Sequence, residues 1–338
     1  MSQRSKAPVF VLGCPRSGTT LLYYMLLSSG NFAVYREESH VFNMIVPKFG
    51  NLASRKSREK LMKHWLKSVL FEKTRLDARA IETKILEECH SGGDFLRIVM
   101  EEVARQQNVE RWADTTPEHL LYIPAIKKAF PEALIIHSIR DGRDVALSMD
   151  RLHWLPPYPW DKQNSLMVHG LYWEWIVRHG RKDGQRFPAD YMEIQFEDLM
   201  THPNETLASI GGFLEHELDY EKIRKVGMGS VGKPNTSFRG EISGGQFSPI
   251  GRWKQSFSPQ QLEMFEGLVG PFLKELGYSL ATSSSRSIGL MAKRMLYQSN
   301  FSLKLALKSK TPLGRLLMRT PDLTRSRAEN NLTAGSPR

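Results

Sequence analysis

The chain has 338 residues, of which 41% are hydrophobic and 25% charged, with a formal net charge of +11. That balance fills a globular core without metals or disulfides, and the length suits one large α/β domain or two ordinary ones. Two cysteines, Cys14 and Cys89, exclude a disulfide framework and stand at no metal-ligand spacing. A reducing, cytoplasmic setting is therefore expected, with a single bridge in a secreted domain left open.

The charge is unevenly placed. Residues 283–338 hold eleven Lys and Arg against two acids, Asp322 and Glu329, and the rest of the chain is nearly balanced. A basic nucleic-acid-binding body is not supported, and no nucleic-acid partner is expected. No apolar run is long enough for a signal sequence or a membrane span. Sequons at Asn204, Asn235, Asn300 and Asn331 are accordingly read as chance matches.

In chain order, residues 8–13 read as a short buried strand and Leu21–Leu27 as a buried helix after a turn. Residues 55–75 and 78–108 read as amphipathic helices with charged faces, and Pro117–Phe130 as a helix stopped by Pro131. Leu134–Ile139 is a second buried strand, and a helix starts near Asp144 and runs to Arg151. His153–Trp160, with Pro156, Pro157 and Pro159, is an irregular loop. Trp173–His179 reads as helical, Tyr191–Phe196 as a third strand and Asn204–Leu214 as a helix behind it. Residues 226–251 carry seven glycines, which predicts a flexible loop, and Gln260–Leu276 is a closing helix. Strands alternating with helices predict an α/β fold: three layers, with a central parallel sheet flanked by helices.

Gly13, Cys14, Pro15, Arg16, Ser17, Gly18, Thr19 and Thr20 lie between the first strand and a helix. Glycines at 13 and 18 match the phosphate-loop spacing G-x-x-x-x-G-K-[ST], whose backbone N–H groups and helix N-terminus form an anion nest. Thr19 stands where that pattern has lysine, which counts against an ATPase or kinase. Arg16 offers a cation from within the loop instead, suited to a fork-to-fork grip on phosphate or sulfate. The plain alternative is a strand–turn–helix whose glycines serve the turn.

Pro15–Thr20 resembles the 5′-phosphosulfate loop of the PAPS-dependent sulfotransferase family (PAPS is 3′-phosphoadenosine 5′-phosphosulfate). The resemblance implies a P-loop-containing, nucleotide-hydrolase-like fold without a metal requirement. It also implies donor binding by Pro15, Arg16, Ser17, Gly18, Thr19 and Thr20. The second strand ends in Arg140, and a helix after it carries Ser148. An arginine at a strand's C-terminal end sits where parallel sheets bind ligands, and a helical serine two turns on can add a hydroxyl. This resembles the family's 3′-phosphate site, with Arg140 and Ser148 as ligands; the alternative is that Arg140, Asp141, Arg143 and Asp144 form a surface charge cluster. Two separate phosphate sites favour PAPS over a compact triphosphate.

Sulfuryl transfer needs a base for the acceptor hydroxyl and donors for the charge developing on the leaving side. Glu37, Glu38, Ser39, His40, Val41 and Phe42 resemble segments of carbohydrate and tyrosylprotein sulfotransferases. That resemblance places the catalytic base at Glu38, with His40 as a secondary candidate and a solvated acidic turn as the alternative. Family members often read Lys-Thr-Pro where this chain has Thr115, Thr116 and Pro117. Thr115 thus takes the lysine's place, and Arg16 is left to carry the catalytic charge. Gly251–Lys254 resembles the family's C-terminal nucleotide-contacting segment, and Ser237 stands sixteen residues before Trp253. Ser237 and Arg252 are thus further donor-site candidates on a loop that could order over PAPS. Phe196–Leu199 also looks family-like and is read as structural.

The resemblance covers roughly residues 8–278, so residues 1–282 are read as a sulfotransferase domain and 283–338 as a tail. The aromatic, proline-rich loop His153–Trp160 could stack on sugars or apolar rings, or be a packed surface loop. The tail mixes Leu290, Met291, Met295, Leu296, Leu313, Leu316, Leu317 and Met318 with basic residues. It reads as partly amphipathic, suited to a membrane surface or a partner, with disorder expected from about Thr320. The expected function is sulfuryl transfer from PAPS to a hydroxyl of a carbohydrate, lipid, small alcohol or tyrosine. The rival readings are a P-loop phosphotransferase and a non-enzymatic membrane or nucleic-acid adaptor acting through the tail.

Overall fold

A computed structural model describes residues 4–155, 157–226, 248–283, 287–311 and 323. Four strands, β1 (Val9–Gly13), β2 (Ala113–Asp114), β3 (Leu134–Ile139) and β4 (Tyr191–Gln195), form one all-parallel sheet in the order β2-β1-β3-β4. The strand period of two divides the core. Val9, Val11, Leu134 and Ile136 face one side, packed with Leu22, Leu26, Leu207 and Ile210. Phe10, Leu12, Ile135 and Ile139 face the other, packed with Trp173, Ile176 and Phe272. The two central strands, β1 and β3, are buried on both faces because helices cover both, which gives the expected three layers.

The chain leaves β1 toward β2 and leaves β3 toward β4, so connections diverge between the two central strands. The crevice beyond their C-terminal ends is where open α/β sheets bind ligands. Register brings Gly13 beside Ser138, so the loops that follow β1 and β3 emerge side by side.

Several boundaries differ from expectation for local reasons. The predicted helix 55–75 is two helices, Arg55–Trp65 and Val69–Glu72, because the Ser68 hydroxyl caps the second one by accepting from Phe71 N–H. The predicted helix 78–108 likewise breaks between Ala78–Glu88 and Gly92–Gln106, where the Ser91 hydroxyl accepts from Asp94 N–H. Pro117–Tyr122 is a 3-10 turn before the helix Ile123–Ala129. The helix seen in sequence at Trp173–His179 runs from Ser165 to Gly184. Residues 227–247 of the glycine-rich segment expected to be flexible, Ser237 among them, and the tail from Pro312 apart from Leu323 lie outside the described residues.

The start of the tail is folded onto the body. Helix Ile288–Lys310 opens on Ser287, whose hydroxyl accepts from Leu290 N–H, and packs along Ser165–Gly184. Arg294 grips the buried Glu174 carboxylate with Nε and Nη2, both at 2.8 Å, and the Tyr297 hydroxyl donates to Asp161 at 2.6 Å. Cys14 and Cys89 are both buried and are not joined.

Candidate active site

The loop after β1 is built around two left-handed residues, Arg16 at φ 75° and Gly18 at φ 82°. Such a conformation in a non-glycine residue is strained and persists only where surroundings enforce it. The enforcing contacts come from the second motif. Arg140 Nη1 donates to the Arg16 carbonyl at 2.8 Å, and Ser138 Oγ donates to the Ser17 carbonyl at 2.7 Å. In return, Arg16 Nε donates to Ser148 Oγ at 3.0 Å. The residues separately assigned to a 5′ and a 3′ anion site therefore form one interlocked unit. Gly18 caps the helix Thr19–Ser28, whose first N–H groups open onto this loop.

Arg140 is almost fully buried. Its Nη2 donates to the Pro249 carbonyl at 2.5 Å and its guanidinium lies 4.7 Å from the Phe196 ring centre. Burial pulls the pKa of both Arg16 and Arg140 down, and the like charge of Arg140 lowers Arg16 further. Neither guanidinium forms an ion pair with a carboxylate among the described residues. The Ser17 hydroxyl and Arg140 Nε are buried with no hydrogen-bond partner there. Two desolvated cations with orphaned donors are what an anionic ligand would satisfy.

The neighbouring charges are not a surface cluster: Arg140, Asp141, Arg143 and Asp144 are all buried. Arg143 pairs with Asp141 and Glu266 and lies over the Trp253 ring. Asp144 accepts from Gly251 N–H at 2.7 Å and Trp253 N–H at 3.1 Å. That contact docks the Gly251–Lys254 segment, with Arg252, on the helix carrying Ser148. Phe196 and Glu197 hold the same corner: Glu197 accepts from Asp141 N–H and from the Tyr278 hydroxyl.

Glu38 lies beside a cavity of about 350 Å³ whose lining includes Pro15, Glu37, His40, Asn43, Glu118 and Trp154. The donor loop, the candidate base and the aromatic loop therefore share one space. Glu38 is held in a turn by the segment after β2. Ser39 N–H donates to Asp114, His40 N–H to the Thr116 hydroxyl and Phe42 N–H to His119 Nε2. His119 Nδ1 lies 3.0 Å from Asp114. With Nε2 accepting, a proton on Nδ1 is assigned to the bond with Asp114. Burial pushes the Asp114 carboxyl up, but His119, Ser39 and Thr116 together hold it below the usual range. Thr115 is buried with its hydroxyl unpartnered among the described residues, and it brings no cation to the site.

Sequence reasoning missed a polar chain behind the candidate base. His40 Nε2 lies 3.6 Å from Glu38, and His40 Nδ1 lies 3.4 Å from Asn43 Nδ2. Asn43 Nδ2 also donates to Glu118 Oε2 at 3.1 Å, while the Tyr172 hydroxyl donates to Glu118 Oε1 at 3.4 Å. These residues come from three separate stretches, 38–43, Glu118 and Tyr172, and no spacing pattern links the three. Among the described residues no His, Cys, Asp and Glu cluster is suited to a metal.

The sequence pattern of the family described as "Sulfotransferase family" matches residues 8–220. An "Uncharacterized protein" of Aquifex aeolicus is 28% identical over 243 residues, which cover 65% of this chain and 28% of that protein's length. The chain thus spans less than a third of that relative. "Protein-tyrosine sulfotransferase 1" of Danio rerio is 22% identical over 280 residues, 80% of this chain and 72% of that protein. Among solved structures, "Sulfotransferase Domain from the Curacin Biosynthetic Pathway" superposes with a TM-score of 0.54. It covers 81% of this chain and 98% of that one at 16% identity, a likeness of fold.

Proposed function

This chain belongs to the sulfotransferase family, and on that premise we propose that it moves a sulfuryl group from PAPS to an acceptor hydroxyl. The observation that carries the reading is the pair of desolvated guanidiniums, Arg16 and Arg140, with orphaned donors on Ser17 and Arg140 in the β1/β3 crevice. The residues present fit an anionic nucleotide donor. Arg16, Ser17, Gly18, Thr19 and Thr20 would hold its 5′ end, and Arg140, Ser148 and Arg252 its 3′ end. When bound, PAPS supplies the sulfuryl group and a phosphate leaving group.

The chain's own residues then do three things. Glu38 takes the proton of the acceptor hydroxyl as the oxygen attacks sulfur. His40 and the Asp114–His119 bracket fix the Glu38 turn. Arg16 and the loop N–H groups face the negative charge that grows on the leaving side, a contribution worth most in a dry, preorganised setting. With threonine at position 115, that charge rests on Arg16. The protein is read as cytoplasmic, touching an anionic lipid surface through its C-terminal helix.

The test uses purified full-length protein, binding of PAP (the donor's desulfated product) and turnover of PAPS with an acceptor panel. Glu38→Gln is expected to leave PAP affinity unchanged and to lower kcat by about 10²–10⁴-fold, the usual contribution of a general base. Unchanged turnover in Glu38→Gln refutes the assignment of the base. Absence of saturable PAP binding by the unaltered protein refutes the donor site.

A further inference from the structure

A second cavity adjoins the one lined by Glu38. It measures about 200 Å³ and lies under the helix Ile288–Lys310. Tyr172 and Trp175 of the helix Ser165–Gly184, Leu155 of the proline-rich loop, and Tyr297, Phe301 and Leu305 of the C-terminal helix supply its apolar lining. Tyr297, Phe301 and Leu305 recur every four residues and so share one helix face, with Tyr172 and Trp175 opposite. The rings pack against one another: Tyr172 and Phe301 lie 5.4 Å apart, Trp175 and Phe301 5.6 Å.

Three observations join this space to the reacting groups. Glu118 lines both cavities. Trp154 lines the first and its chain neighbour Leu155 the second. The Tyr172 hydroxyl, from the wall of the second, donates to Glu118. A carboxylate and a phenol therefore separate an aromatic chamber from the chamber of the candidate base. Close-packed interiors do not leave such rings around a void without cost, and apolar chambers with a few placed polar groups are the usual form of a small-molecule site. The chamber depends on a helix beyond the stretch matched by the family pattern, which ends at residue 220.

We propose that the acceptor is an alcohol or phenol with an apolar body, and that this chamber holds that body while the hydroxyl reaches Glu38 past Glu118. The proposal rests on the sulfuryl-transfer reading for its chemistry but not for its binding site. Tyr172, Trp175, Phe301 and Leu305 determine specificity by rewarding buried hydrocarbon. Lys304, whose ammonium lies 5.8 Å from the Tyr158 ring, and Lys308 are the cations of the lining.

Binding is measured directly, without donor, by calorimetry on full-length protein with butanol, hexanol and octanol, and with glucose as the polar comparison. Affinity is expected to rise about fourfold per added methylene, equivalent to ~0.8 kcal/mol, until the chamber is full. Glucose is expected not to bind. Leu305→Trp, which fills the chamber from the helix, and Leu155→Trp, which fills it from the loop, each abolish the rise; either variant suffices if the other fails to fold. Affinity that does not depend on chain length, or a rise that survives both fillings, overturns the proposal. PAP binding is recorded on the same samples. Intact PAP binding with no alcohol binding removes this inference alone, whereas lost PAP binding with retained alcohol binding removes the donor reading and leaves the chamber.

Discussion

Gly18→Ala tests how the donor loop is held. A Cβ built on Gly18 would meet Phe196 Cδ2 at 2.2 Å and Cε2 at 2.5 Å, at a backbone φ of +82°. The left-handed backbone alone costs an alanine about 1 kcal/mol relative to glycine. Forcing the Phe196 ring aside adds about 1–3 kcal/mol of overpacking, so the total is ~2–4 kcal/mol. The same ring supports Arg140, so donor affinity should fall along with stability. Phe196→Leu supplies the control, because a smaller side chain makes room for the new methyl. On its own it should cost about 1–2 kcal/mol, as a large-to-small change at a buried position. The double variant should recover about 1–2 kcal/mol of the expected sum, the coupling typical of residues in contact. Urea denaturation of the four proteins gives the cycle, and PAP titration gives the affinities. Strict additivity of the two stability losses would falsify the contact as the cause.

Two further outcomes are expected. His137 is fully buried beside Tyr191, and burial first, then the Arg181 charge, lowers its pKa from 6.5 to about 3. The unfolded imidazole therefore takes up a proton near pH 6.5 that the folded one resists down to about 3. Stability is full above the unfolded value and falls as pH drops through that window, by about 2 kcal/mol between roughly pH 7 and pH 5. His137→Gln should flatten that part of the urea-midpoint profile, and an unchanged slope would remove His137 as its source. Separately, the outer face of the helix Ile288–Lys310 exposes Ile288, Met291, Met295, Leu296, Leu303 and Leu307. No described helix is long and apolar enough to cross a membrane. Flotation with phosphatidylserine vesicles is expected, with little on neutral ones and a loss of about tenfold or more in Met291→Asp/Met295→Asp. Equal flotation on both lipids, or none, counts against a lipid-facing role.

What could be read in the sequence was contiguous. β1 and β3 are apolar runs bounded by turn residues, and Arg16 and Arg140 follow them within a few positions. Their mutual contacts were beyond reach, because Arg16 Nε and Ser148 Oγ are brought together only by the β1–β3 register. The helix Ser165–Gly184 was seen as its apolar middle alone. Its polar positions His169, Glu174 and Arg181 find partners in Leu155, Arg294 and Glu193 on other elements. β2, two residues long, has too little sequence for a period to show.

The segment after β2 holds the Glu38 turn without a cation at position 115. Position 115 carries no charge, yet Asp114, Thr116 and His119 on either side of it hold three backbone donors of the Glu38 turn, those of Ser39, His40 and Phe42. The bracket and the cation are separable tasks that the sequence motif presents as one. The bracket is built here from buried hydrogen bonds, each of which would leave an unsatisfied group if broken. The cation need only be near the leaving side, and Arg16 sits in the loop that would hold it. A lysine placed at Thr115 would therefore enter a buried position. Thr115→Lys is better understood as adding a further buried cation than as repairing a defect.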